Sequence, residues 1–99
     1  MEIKVTEING TGIINIPTEL GVKTSTEFKV TLTDAIENFE KVELDFSITE
    51  LVSSAGLRVL LQAEKSINKA EKSMTFKNVT PEVMEVFEMT GVSKIFTIS

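Results

Sequence analysis

Two adjacent hydroxyl side chains, Ser53 and Ser54, stand directly ahead of Ala55-Gly56-Leu57-Arg58, where a helical pattern of apolar residues begins. At a helix start the first amide groups have no carbonyl partner, and the positive end of the helix dipole faces outward. A phosphate carried by a serine at that place meets favourable electrostatics. The same residue type also serves simply as an N-cap, and a glycine two positions on lets a helix pack closely, so the dipeptide alone leaves both uses open. A nucleophilic role lacks an activating group, because the 99 residues include no histidine and no lysine adjoins the serine pair. Cysteine is absent too, which removes disulfides, thiol catalysis and thiolate metal sites. These residues point to a binding protein with no catalytic residue, no cofactor and no metal.

Other groupings of polar residues carry less. Glu82, Glu85 and Glu88 recur every three residues, as on a solvated acidic helix face, with no further ligand converging on them. Met74, Met84 and Met89 are assigned to packing. Asn78-Val79-Thr80 matches a glycosylation acceptor pattern without a secretory signal to go with it. Fifteen acidic against ten basic residues give a net charge of −5, and no basic cluster relieves it, so nucleic acid is excluded as a partner. Met1-Glu2-Ile3-Lys4-Val5 has no basic stretch followed by an apolar one, and no window approaches about 18 apolar residues. A cytoplasmic location without membrane insertion is expected.

The elements that would hold the serine corner follow from periodicity. Ile3 and Val5, then Ile14 and Ile16, alternate with polar residues on either side of Asn9-Gly10, which predicts a tight hairpin. Thr24-Ser25-Thr26-Glu27 has the form of a capping box, and Phe28, Leu32, Ala35, Ile36 and Phe39 then draw one apolar helical stripe. Val42, Leu44 and Phe46 have the two-residue period of a strand, and a loop from Ile48 to Val52 leads into the serines. From Ala55 to about Lys69, Leu57, Leu60, Leu61 and Ile67 face inward while Arg58, Gln62, Lys65 and Lys69 share another face. Met74 and Phe76 mark a short strand. Thr80-Pro81 opens a third helix with Val83, Val86 and Phe87 buried, Gly91 ends it, and a last strand spans Lys94 to Ile98. The order β-β-α-β-α-β-α-β over one domain, residues 1–99, calls for a mixed, mostly parallel sheet with an N-terminal antiparallel hairpin and three helices.

Leu44-Asp45-Phe46-Ser47, followed by Leu51-Val52-Ser53-Ser54-Ala55-Gly56-Leu57-Arg58-Val59-Leu60-Leu61, resembles the signature segment of STAS domains. The stretch from Thr80 to Phe96 resembles the third helix, glycine stop and final strand of that family, so the likeness covers nearly the whole chain. The resemblance implies a bacterial anti-sigma factor antagonist. Such a protein sequesters an anti-sigma factor that is also a serine kinase of the ATP-binding, histidine-kinase-like type. Phosphorylation of the helix-opening serine releases the partner, and a serine phosphatase restores binding. By position the acceptor is Ser54, with Ser53 second. The contact surface implied comprises Val52, Ser53, Ser54, Ala55, Gly56, Arg58 and Gln62. Two positions depart from the family pattern, which places aspartates where this chain has Ser53 and Gly21. Those departures keep a second expectation in view, a constitutive, unphosphorylated STAS subunit docked on a larger assembly such as a transporter.

Overall fold

In the computed structural model, which describes residues 3–99, strands β1 (Val5–Ile8) and β2 (Thr11–Asn15) form the opening hairpin. Its two-residue turn requires positive φ at both central positions, and Asn9 and Gly10 take 51° and 82°. Met1 and Glu2, within the expected domain, lie outside the described residues. The chain continues through β3 (Glu19–Leu20), α1 (Val22–Asn38), β4 (Lys41–Asp45), β5 (Leu51–Val52) and α2 (Ser54–Lys69). It closes with β6 (Ser73–Lys77), α3 (Pro81–Met89), a 3₁₀ turn at Val92–Lys94 and β7 (Thr97–Ile98).

The main sheet has the order β1-β2-β4-β6-β7, with β1 antiparallel to β2 and every other pairing parallel. Alternation decides its two faces. Ile14, Val42, Leu44, Met74 and Phe76 point into the core, whereas Ile13, Glu43, Asp45, Thr75 and Lys77 lie on the other face, partly exposed. Right-handed crossovers between successive parallel strands carry the helices to one side. There α1 contributes Phe28, Leu32 and Ala35, α2 contributes Leu60, Ala63 and Ile67, and α3 contributes Val83 and Phe87. Four phenylalanines tie α3 and the C-terminal turn to the strand ends. Phe76 stacks between Phe46 (centroids 5.6 Å apart) and Phe96 (4.3 Å), and Phe87 meets all three edge-on at 5.3–5.9 Å.

The structure corrects several local expectations, among them the burial of Val86, which is only half-buried beside the buried Val83 and Phe87. Helix α1 begins at Val22 with Gly21 as N-cap, so Thr24 is not the cap. It is the third helical residue, accepting the Gly21 N–H at 2.9 Å and donating to the Glu19 carbonyl at 2.9 Å. Glu27, expected to close the box, instead accepts the Ile3 N–H at 2.6 Å. The segment Ile48–Val52 is not all loop, because Leu51 and Val52 form β5 beside β3. The final strand shrinks to Thr97–Ile98, since the chain after Gly91 (φ 82°) first makes a 3₁₀ turn that seats Val92 and Phe96 in the core. Met89 is 78% exposed, in contrast to the buried Met74 and half-buried Met84. Two positions beyond Phe87 is about 200° around a helix, which turns Met89 away from the Val83–Phe87 stripe.

Candidate functional site

Strands β3 and β5 pair in parallel, Glu19 with Leu51 and Leu20 with Val52, and each feeds a helix directly. The N-termini of α1 and α2 therefore emerge side by side at one corner, and the Ser53 N–H donates to the Leu20 carbonyl at 2.9 Å. Ser53 has extended backbone angles, φ −84° and ψ 174°, and is the N-cap of α2. Its Oγ accepts the Gly56 N–H at 3.4 Å, and its carbonyl accepts the Leu57 N–H at 2.8 Å. Ser54 is the first helical residue and is exposed; its hydroxyl has no hydrogen-bond partner among the described residues. One serine is thus engaged in the cap while its neighbour stays available.

Gly56 makes this close approach possible. A Cβ there would lie 2.5 Å from the Leu20 carbonyl oxygen and 2.8 Å from the Leu20 Cγ, so any larger residue pushes α2 off β3. Gly21 is different: a Cβ would sit in ordinary contact, 3.8 Å from Ser53 Oγ. The two positions where STAS domains usually carry aspartates are consequently neighbours in space, held here by a bare Cα and a capping hydroxyl.

The loop ahead of the serines is anchored from three sides. The buried Thr49 hydroxyl donates to the Ile16 carbonyl at 3.2 Å, and the Thr49 carbonyl accepts from the Thr80 hydroxyl at 2.8 Å. Thr80 in turn accepts the Val83 N–H at 3.4 Å as the N-cap of α3, so one side chain links that helix to the loop. The Glu50 and Leu51 amides both donate to the Thr18 carbonyl, at 2.7 and 3.2 Å. At the loop's root, burial opposes ionisation of Asp45. Donation from the Ser47 amide, the Ser47 hydroxyl and the Asn78 side chain outweighs burial and holds the carboxyl below its ordinary 3.8.

Of the residues singled out from sequence, Ser54, Arg58 and Gln62 are exposed, Ser53 and Ala55 are half-buried, and Val52 and Gly56 are buried. Val52 places its side chain in the core, and Gly56 offers only the shape of the backbone. Arg58 and Gln62 line a groove between α1 and α2 together with Ser25, Thr26 and Lys29. The corner is also flanked by three exposed apolar side chains: Val22 (77%), Ile48 (58%) and Leu51 (49%). Ile48 and Leu51 fall in the segment that sequence singled out, but Val22 was missed because α1 starts earlier than its apparent capping box. The anchoring roles of Thr49 and Thr80 left no pattern to find, since both depend on which carbonyl the fold brings near.

A family model described as the STAS domain matches residues 2–99. The Bordetella bronchiseptica protein BtrV, provisionally named an anti-sigma factor antagonist, is 27% identical over all of this chain and 86% of its own length. The anti-sigma F factor antagonist of Paenibacillus polymyxa is 28% identical over 99% of this chain and 86% of its own length. Among solved structures, the anti-sigma factor antagonist SpoIIAA in its unphosphorylated form superposes with a TM-score of 0.82 at 16% identity, covering 98% of this chain and 87% of that one. The Bacillus SpoIIAA in its phosphorylated form gives 0.77 at 15% identity, covering 98% and 90%.

Proposed function

This chain belongs to the STAS domain family and has the fold of its anti-sigma factor antagonists, and from that premise we propose that it is a regulatory binding protein switched by phosphorylation of Ser54. The observation that carries the proposal is the division of labour at the corner. Ser53 is committed to capping α2, whereas Ser54 is exposed and makes no hydrogen bond among the described residues. In its unmodified state the chain sequesters an anti-sigma factor that is also a serine kinase, through Ser54, the apolar side chains around it and the exposed start of α2.

Phosphorylation adds about −1.5 to −2 charges at the tip of α2, where free amides and the helix dipole receive them without unfolding. The fold of SpoIIAA is known in both forms, which supports a switch that acts on surface charge and shape. The partner is lost because its contact face meets a dianion where a neutral hydroxyl stood. A serine phosphatase removes the phosphate and returns the protein to its binding state. No step asks the chain to catalyse a reaction.

The test is intact-mass analysis with phosphosite mapping of protein from its native cells, alongside affinity capture of the partner. One phosphate is expected, on Ser54 and not Ser53, with Ser54→Ala remaining bound to its partner in ATP and Ser54→Glu binding at least about tenfold more weakly, roughly 1.4 kcal/mol. Persistent absence of phosphate across growth conditions, with the partner held throughout, would replace the switch by constitutive docking on a larger assembly.

A further inference from the structure

The groove beside Ser54 has an electrostatic character that the acidic chain as a whole does not share. Its walls are the N-terminal halves of α1 and α2: Ser25, Thr26 and Lys29 on one side, Ala55, Arg58 and Gln62 on the other. The charged residues lining it are both basic, and no carboxylate does so, in a chain whose net charge is −5. Neither the Lys29 ammonium nor the Arg58 guanidinium makes an ion pair or hydrogen bond among the described residues. Arg58 stands four positions after Ser54 in the same helix, so the two are neighbours on one face. Side chains in a helix lean toward its N-terminus, which carries the long Arg58 side chain over the turn that begins at Ser54.

Other charges approach from each element packed on this end. Lys23 lies in the first turn of α1, Glu19 on β3 and Glu50 just ahead of β5, all exposed, and none lines the groove. Glu27, also on α1, is occupied by the Ile3 amide. The usual aspartate positions are Gly21 and Ser53, so no carboxylate at either one competes for the two cations.

We propose that Arg58 and Lys29 form a built-in receptor for a phosphate on Ser54, with Arg58 as the main clamp and Lys29 reaching in from α1. This deepens the proposed switch and rests on it for its biological use. An arginine takes two phosphate oxygens in its planar fork, a match that lysine does not reproduce. The clamp folds the dianion back along the groove, so the modified corner presents a neutralised, altered shape as well as added charge.

The test uses the full chain with phosphoserine incorporated at position 54 during translation, which makes it independent of any kinase. The second ionisation of the phosphate, ordinarily near pH 6, is followed by phosphorus NMR. In the parent protein it should lie below that value. Arg58→Gln should raise it by about half a pKa unit, the size of a partly exposed ion pair, Lys29→Gln by less, and Arg58→Lys should recover only part of the difference. Lys65→Gln, at another exposed position of α2, should titrate like the parent. Because all these side chains are exposed, thermal melts should show every variant folded. If Arg58→Gln and Lys29→Gln both titrate like the parent, the phosphate is held by the helix amides or by water and the clamp does not exist. That result leaves phosphorylation of Ser54 standing, whereas absence of the phosphate in cells overturns the switch and leaves the clamp measurable.

Discussion

Gly21 caps α1 with no side chain to offer the first-turn amides. Its backbone, at φ −128°, suits any residue, and a Cβ would find only Ser53 Oγ at 3.8 Å. Gly21→Asp should therefore fit, supply the missing cap acceptor and place a negative charge at the helix's positive end. A gain of a few tenths of a kcal/mol is expected, raising the melting temperature by about 1–3 °C. Glu64 presents the opposite case. It is 7% exposed on α2, and its Oε1 has no hydrogen-bond partner among the described residues. Burial raises its pKa above the ordinary 4.5, and hydrogen bonding to Asn68 opposes the rise only in part. A carboxyl whose folded pKa is raised holds its proton more tightly in the native state, so stability falls as pH climbs from that ordinary value through the folded one. Glu64→Gln should accordingly be more stable than the parent at pH 7 in urea titrations, with the advantage shrinking as the pH falls toward the ordinary carboxylate range. The sequence showed Ser54 as a motif. Glu64 was not singled out, although it stands four residues after Leu60 and three before Ile67, because a carboxylate carries no burial signal. Only the packing shows it is enclosed.

At the scale of elements, the opening hairpin, the three helices and the strands β4 and β6 were legible because each repeats its period several times or carries a strong turn or cap signal. Strands β3 and β5 were not, since two residues cannot display a period. Yet this small pairing sets the site, because it brings the starts of α1 and α2 together and lays Gly56 against Leu20. Gly56→Ala tests that contact. The added methyl meets the Leu20 carbonyl oxygen at 2.5 Å, backbone that cannot swing aside. A loss of about 1–3 kcal/mol is expected in chemical denaturation, as for an overpacked core, despite alanine's better helix propensity. An unchanged midpoint would show that α2 starts away from β3. The far end of α1 is closed by a long-range contact that sequence could not show. Lys72 Nζ donates to the Ile36 carbonyl and, at 3.5 Å, to that of Glu37, with Glu40 4.0 Å away. A cation at a helix C-terminus complements the dipole, so Lys72→Met should cost about 0.5–1 kcal/mol in the same assay.

On the scale of the whole molecule, the helices cover one face of the sheet and leave the other to polar side chains such as Glu43, Thr75 and Lys77. The corner with Ser54 lies at one end of this arrangement, and Val22, Ile48 and Leu51, on the segments that lead to it, are each exposed. Exposed apolar side chains on the segments that lead into the two helix starts are the features an interface core requires. Two accounts of partner binding then differ in what they require. If the acidic chain is drawn in by its overall charge, Glu43→Lys on the open face, which moves the net charge by two units, should change affinity strongly. If the corner patch supplies the binding energy, Glu43→Lys should leave Kd within about threefold, and Ile48→Asp or Leu51→Asp, each adding one negative charge, should weaken binding by about 30-fold, the scale of a 2 kcal/mol interface anchor. The patch account is the one expected, because Glu43 lies on the sheet face opposite the helices, partly exposed to solvent, where salt at physiological strength screens its charge. Titration of the unphosphorylated variants against the captured partner at two salt concentrations separates the accounts. Charge-driven binding collapses for all variants as salt rises, whereas patch-driven binding retains the ranking of Glu43→Lys over the two aspartate substitutions.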